Sequence, residues 1–248
     1  MIIDVHAHLG YDHVFDEDFS ESELLFWSEK CGIDHIIVQP SIPRPYVEST
    51  REIHDTVYDL CKAHSGRIFG MASISPHFEH ADYDAELNRC VKELGFVGVK
   101  ITPVGHAALP DSRNCMHVYE TCTALDIPVM IHTGPGGFMS DPIKLLNPCK
   151  QFPRVKFIFA HSGGEEFYPA ALFVAQQCEN VYLDTSWLNV YSLKKAINSV
   201  GSGRIMFASD MPMNAPVELT KFKTATNDPV ELEQMLFKTA NEVFGLML

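Results

Sequence analysis

The 248-residue sequence is poor in positive charge: 19 Lys and Arg stand against 32 Asp and Glu, a formal net charge of −13. Nucleic acids and anionic membrane surfaces are bound through clustered cations, so neither is an expected partner. No run approaches the roughly 18 apolar residues of a membrane helix. Met1-Ile2-Ile3-Asp4 lacks the basic start and long apolar stretch of a signal peptide. Cysteine occurs seven times, an odd number with no C-x-x-C pair, which suits neither a closed disulfide set nor a thiolate metal clip. A cytoplasmic protein with reduced, mostly buried thiols is expected; a homo-oligomer is left open. Low-complexity segments, Gly/Ser linkers and charge runs are also lacking, so one domain over residues 1–248 is expected.

What is present is alternation. Short apolar, β-branched runs occupy Ile2–His6, Ile33–Val38, Arg67–Ser73, Phe96–Ile101, Pro128–His132, Val155–Ala160, Asn180–Asp184 and Arg204–Ala208. Segments with helical patterning separate them, among them Ser20–Cys31, Thr50–His64, Ala81–Leu94, Asn114–Leu125, Glu165–Cys178 and Leu193–Val200, and a last helix is expected over Pro229–Val243. Eight strand–helix units point to an α/β fold, a (β/α)8 TIM barrel in a single domain. An open doubly wound sheet is the alternative. It would carry a Gly-rich phosphate loop after the first strand, where this chain has His6-Ala7-His8-Leu9-Gly10.

Active sites of such barrels sit where the strands end. Strand one ends in His6 and His8, which point the same way because side chains alternate along a strand. Later strands end in Lys100, His132, His161 and, on strand eight, Asp210. Each alone reads more simply as a satisfied buried polar residue. Together, three histidines and a carboxylate are a borderline-metal ligand set, suited to Zn2+ and also to Mn2+, Fe2+ or Co2+. A bound divalent ion lowers the pKa of its water towards about 7 and polarises a carbonyl. Asp210 is placed to take and return a proton there.

The segments Ile3-Asp4-Val5-His6-Ala7-His8, Gly98-Val99-Lys100, Pro128-Val129-Met130-Ile131-His132-Thr133-Gly134, Phe159-Ala160-His161-Ser162-Gly163-Gly164 and Phe207-Ala208-Ser209-Asp210-Met211-Pro212 resemble the amidohydrolase superfamily, in its amidohydrolase-2 branch. The resemblance implies one catalytic metal, usually zinc, on His6, His8, His132 and Asp210, with His161 as acid/base or substrate-polarising group. It implies hydrolysis of a small-molecule amide, ester or lactone. The alternative is non-oxidative decarboxylation of an unsaturated carboxylic acid, the activity of relatives of aminocarboxymuconate-semialdehyde decarboxylase. Binuclear members carry a carboxylated Lys at the position of Lys100; in this branch that Lys is usual without carboxylation, leaving Lys100 structural or facing a substrate carboxylate. Many branch members have a His two residues later, where this chain has Thr102. TatD-type nucleases share the opening motif but have Glu at strand four, which Lys100 contradicts.

Further residues carry two readings each. Asp4 lies in register with the histidine pair, either supporting the metal site or as a hydrogen-bonded buried acid. Asp184 would orient His161 or cap its strand. Trp187 would form a wall of the substrate pocket or pack at the surface, and Arg44 would bind a substrate carboxylate or stay solvated. Gly134-Pro135-Gly136-Gly137 and Gly163-Gly164 read as bends passing close to the pocket rather than phosphate cradles. His13 and His106 are the other histidines expected nearest its mouth, and Asp12–Asp18 reads as a solvated acidic loop.

Overall fold

The apolar runs carry Val, Ile and Phe on both faces, and they form strands that are buried on both sides. In the computed structural model, which describes residues 1–248, these are β1 (Ile3–Asp12), β3 (His35–Pro40), β4 (Ile68–Gly70), β5 (Ala72–Ser73), β6 (Val99–Ile101), β7 (Val129–His132), β8 (Phe157–Ala160), β9 (Val181–Asp184) and β10 (Ile205–Met206). The remaining strand, β2 (Glu17–Phe19), is antiparallel to the end of β1. All other pairings are parallel, β1 with β3, β3 with β4, and β5 through β10 in order.

β4 and β5 are two halves of one barrel strand, parted at Met71, whose N–H donates to the Val38 carbonyl at 2.9 Å. The ring closes between the last and first strands. Val5 N–H donates to the Phe207 carbonyl at 3.2 Å, and Asp210 N–H to the His6 carbonyl at 2.8 Å. Eight parallel strands result, as the sequence leads one to expect. Their interior is filled by Ile3, Val5, Ile37, Met71, Met130, Ile158 and Met206. Phe237, Ala240, Val243 and Phe244 pack on the same cluster. Lys156, just before β8, donates to the carbonyls of Glu242 and Val243. The C-terminal helix therefore plugs the end of the barrel where strands begin, and the opposite end is left for chemistry.

Three local features differ from or add to what the sequence predicts. Asp12–Asp18 forms the turn of the β1–β2 hairpin: His13–Asp18 are exposed, as expected of a solvated acidic loop, but Asp12 is buried. Buried Asp12 accepts from the N–H groups of Val14, Phe15 and Ile42, which turns the chain and ties it to the loop after β3. A helix at Ala215–Ala225 supplies the outer layer after β10, with Pro216 in its first turn, where proline is well tolerated. The segment Pro229–Val243 is not one α-helix: it passes through a π turn at Gln234–Lys238. Within that turn the Met235 carbonyl accepts from Phe207 N–H at 3.0 Å, so a helical acceptor is shared with the last barrel strand.

Candidate metal centre and its pocket

The register of β1 against β3 slips between Asp4 and Ala7, which places a bulge at Val5 and His6. A bulge re-aims side chains next to a strand end. Here His6 Nε2 and His8 Nε2 lie 3.0 Å apart, and Asp210 Oδ1 is 3.2 Å from the first and 3.3 Å from the second. Ligands 2.0–2.1 Å from a tetrahedral ion are separated by about 3.4 Å, so this triangle has the spacing of three donors around one small cation. Buried Asp4 sits beneath it, accepting from Ser209 Oγ at 2.5 Å, Ser209 N–H at 3.0 Å and His6 N–H at 3.2 Å. Asp4 thus joins the two strand ends that carry the triangle, so it is a hydrogen-bonded buried acid and a support of the site together.

Asp184, at the end of β9, organises two histidines. Its Oδ2 accepts from His6 Nδ1 at 2.7 Å, which leaves the His6 Nε2 lone pair facing the triangle. Its Oδ1 accepts from the Ser186 hydroxyl at 2.7 Å and the Ser186 N–H at 2.8 Å. The same hydroxyl is 2.8 Å from His161 Nδ1 and accepts its proton. Asp184 therefore orients His161 through Ser186, and His6 directly. The direct contact, between residues 178 positions apart, is not legible from spacing.

His132 lines the pocket, and its ring centroid is 4.8 Å from that of His161. Its Nε2–H donates to the Pro135 carbonyl at 2.7 Å, so only its other nitrogen is free, and it stands outside the tight group formed by His6, His8 and Asp210. Lys100 Nζ is 2.7 Å from His6 Nε2 and fully enclosed. Its amine thus donates to the same His6 Nε2 lone pair that faces the triangle, and a cation bound there would displace it.

Electrostatics favours a cation at this point. Burial, reinforced by Lys100, holds His6 well below the ordinary histidine range, and the same causes lower His132 to about 4. Burial lowers His161 likewise. Burial alone would raise the Asp210 carboxyl, but His161, His6 and His8 outweigh it and hold it well below the usual range. Neutral imidazoles beside an ionised carboxylate are the protonation states that metal binding needs. Lys100 is brought down to about 8 by burial, against the pull of Asp210 and Asp184. A second buried group, His54, Glu86 and Cys90, also has donor atoms close together. There His54 Nε2 accepts from Ser73 N–H and Nδ1 donates to Glu86, so the cluster is internally satisfied.

Above the triangle lies a cavity of about 540 Å3, walled by Phe15, Phe19, Pro40, Ile42 and Trp187. Phe19 comes from β2 and sits against His8, with ring centroids 5.5 Å apart. The indole N–H of Trp187 donates to Asp210 Oδ2 at 2.7 Å. Trp187 therefore stands at the cavity wall with about half of its surface exposed. Arg44 does not reach this cavity. It lines a separate surface hollow with Tyr11 and His13, because alternation along the end of β1 turns Asp12 inward and its neighbours outward. His106 is buried, its Nδ1 accepting from Thr102 N–H, and it too lies off the pocket wall. At Gly134 (φ 117°) a Cβ would come within 2.9 Å of the Gly163 backbone, so the two glycine segments are a close crossing of β7 and β8 loops.

The chain is similar to several known proteins. The chain is 30% identical over 172 residues to 2-keto-4-carboxy-3-hexenedioate hydratase of Sphingobium sp., covering 60% of this chain and 50% of that protein. It is 26% identical over 216 residues to gamma-resorcylate decarboxylase of Polaromonas sp., covering 66% of each. The chain thus spans about half to two thirds of the length of these curated relatives. Among solved structures, a dihydroxybenzoic acid decarboxylase from Polaromonas sp. with bound manganese and the inhibitor 2-nitroresorcinol superposes with a TM-score of 0.79 at 18% identity, covering 100% of this chain and 97% of that one. That likeness shows the barrel fold. The profile of the family described as Amidohydrolase matches residues 3–246, so the chain belongs to that family of metal-dependent enzymes.

Proposed function

We propose that this enzyme removes CO2, without oxidation, from a small unsaturated or aromatic carboxylic acid, using one divalent ion held by His6, His8 and Asp210, with His132 beside them. The observation that carries this reading is the composition of the pocket. Its floor combines the cation triangle with Lys100, and its walls are Phe19, Ile42 and Trp187. A substrate carboxylate is drawn to the floor and a flat carbon skeleton to the walls. Low polarity around the skeleton favours loss of charge as CO2 departs. The decarboxylase and hydratase activities of the sequence relatives support a reaction of this class.

When bound, a divalent ion supplies Lewis-acid polarisation of the substrate oxygens. Zn2+ and Mn2+ both suit two imidazoles and a carboxylate. Lys100 holds the substrate carboxylate by a charge-assisted hydrogen bond. As the C–C bond breaks, its electron pair remains on the carbon, which takes up one proton. Asp210 is ionised at rest, so it takes that proton from solvent and passes it to the carbon, while His161, kept in its Nδ1–H tautomer by Ser186, accepts a hydrogen bond from a substrate hydroxyl through Nε2. Trp187 and Phe19 hold the skeleton and exclude water. Seven free cysteines fit a reducing, cytoplasmic setting.

Addition of water across the double bond of an unsaturated acid is the second reading, favoured by the hydratase relative. Hydrolysis of an amide, ester or lactone, the first expectation from sequence, uses the same floor but is the activity of neither sequence relative. The three are separated by supplying the metal-loaded enzyme with aromatic and unsaturated acids, and with lactones and esters. CO2 release that vanishes in His6→Asn is expected. Lactone or ester turnover without CO2 release would overturn the proposal.

A further inference from the structure

Asp210 is held by more than its strand. Its backbone has φ of 63° and that of Trp187 a φ of 65°, both in the left-handed region that side chains rarely adopt. Such conformations persist only where surrounding contacts enforce them. The contacts are identifiable. Trp187 N–H donates to Glu218 Oε1 at 2.9 Å. Asn214 Nδ2 donates to the same oxygen at 3.2 Å and to the Ser209 carbonyl at 3.2 Å. Glu218 is paired with Lys221, and Lys221 Nζ donates to the Thr185 carbonyl at 2.6 Å. Glu218 and Lys221 lie on the helix Ala215–Ala225 and are buried. They clamp the loop after β9 to the loop after β10, and so bring the Trp187 indole onto Asp210 Oδ2.

From this we infer that Trp187 is a positioning residue, not only a wall: its indole N–H occupies one oxygen of Asp210, so the carboxylate offers the cation Oδ1 alone. The inference rests on the reading of Asp210 as a metal ligand. An unrestrained carboxylate swings and binds through either oxygen or both. A restrained one presents a single oxygen 3.2 Å and 3.3 Å from the histidine nitrogens. Partners of metal ligands of this kind typically govern affinity by 10- to 100-fold.

The chain has two tryptophans, Trp27 and Trp187, so two indole N–H resonances report on the site directly. Trp187→Phe keeps an aromatic wall and removes the donor. Co2+ affinity measured by titration is expected to fall at least about tenfold in this variant, while Trp27→Phe binds Co2+ like the wild type. In the metal-free protein, Asp210→Ala is expected to shift the Trp187 indole resonance upfield and leave that of Trp27, the reporter of an intact fold, in place. Wild-type Co2+ affinity in Trp187→Phe, or an unmoved Trp187 resonance in Asp210→Ala, overturns the inference and leaves the metal site standing. If the wild type binds no Co2+, or Asp210→Ala binds it equally well, the reading of Asp210 as a ligand fails, and the inference with it.

Discussion

His6 Nδ1 donates to Asp184 Oδ2 at 2.7 Å, and neither side chain is reached by solvent. The bond fixes the tautomer, so that the His6 Nε2 lone pair faces His8 and Asp210, and it raises the basicity of the ring. A carboxylate behind a metal-binding histidine commonly acts in this way. Asp184→Asn weakens the acceptor and frees the ring. Metal affinity is expected to fall about 10- to 100-fold, measured by competition with a chelator dye. Unchanged affinity would reduce Asp184 to a strand-end hydrogen bond.

Lys100 is expected to act on the substrate. In Lys100→Met a stem of similar length remains and the charge is lost. A charge-assisted hydrogen bond contributes about 1.5–3 kcal/mol, so KM for an acid substrate should rise roughly 10- to 100-fold. Metal content should hold at the wild-type level. Loss of metal with unchanged KM would instead make Lys100 a support of His6.

Ser186→Ala removes the link between Asp184 and His161 while leaving the His6 bond intact. A drop in kcat of about 10- to 100-fold at full metal occupancy is expected, at or below the low end of the roughly 100- to 10,000-fold range of general acid–base contributions, because His161 itself stays in place. Ser186→Thr, which retains the hydroxyl, should recover much of it. Equal kcat in Ser186→Ala and wild type would remove His161 from the chemistry.

His106 and Glu86 should each contribute stability that acid removes, in successive pH intervals. Burial pushes His106 from 6.5 down to about 4. The folded state therefore binds fewer protons than the unfolded chain in that interval, and stability is lost as pH falls from about 6.5 to about 4. Glu86 is driven from 4.5 to about 2: burial opposes the shift, but hydrogen bonds from His54, Arg89 and Arg51 outweigh it. Its contribution is lost between about 4.5 and 2. Thermal melts across pH should show both declines, with His106→Gln flattening the upper one and Glu86→Gln the lower. Identical pH profiles in wild type and variants would contradict these assignments.

Sequence periodicity carried the barrel because strands buried on both faces leave continuous apolar runs, as in Phe157–Ala160. It also carried the strand ends His6, His8, His161 and Asp210, because a parallel barrel gathers them at one mouth. It could not carry contacts between loops far apart in the chain, such as Ser186 with His161 or Trp187 with Asp210. Arg44 lies in a separate hollow, since loop direction, not composition, decides which one a side chain enters. The Ala215–Ala225 helix is marked in the sequence by Pro216 at its start. The π turn at Gln234–Lys238 has no such mark, because it answers to a hydrogen bond from Phe207.

The most direct measurement is metal content of the purified, Zn2+- or Mn2+-loaded protein by elemental analysis, beside His6→Asn and Asp210→Asn. One equivalent per chain in the wild type, lost in both variants with the fold intact by circular dichroism, is the expected result. Retention of the ion by both variants, or no ion bound by the wild type, would contradict a centre built on His6, His8 and Asp210.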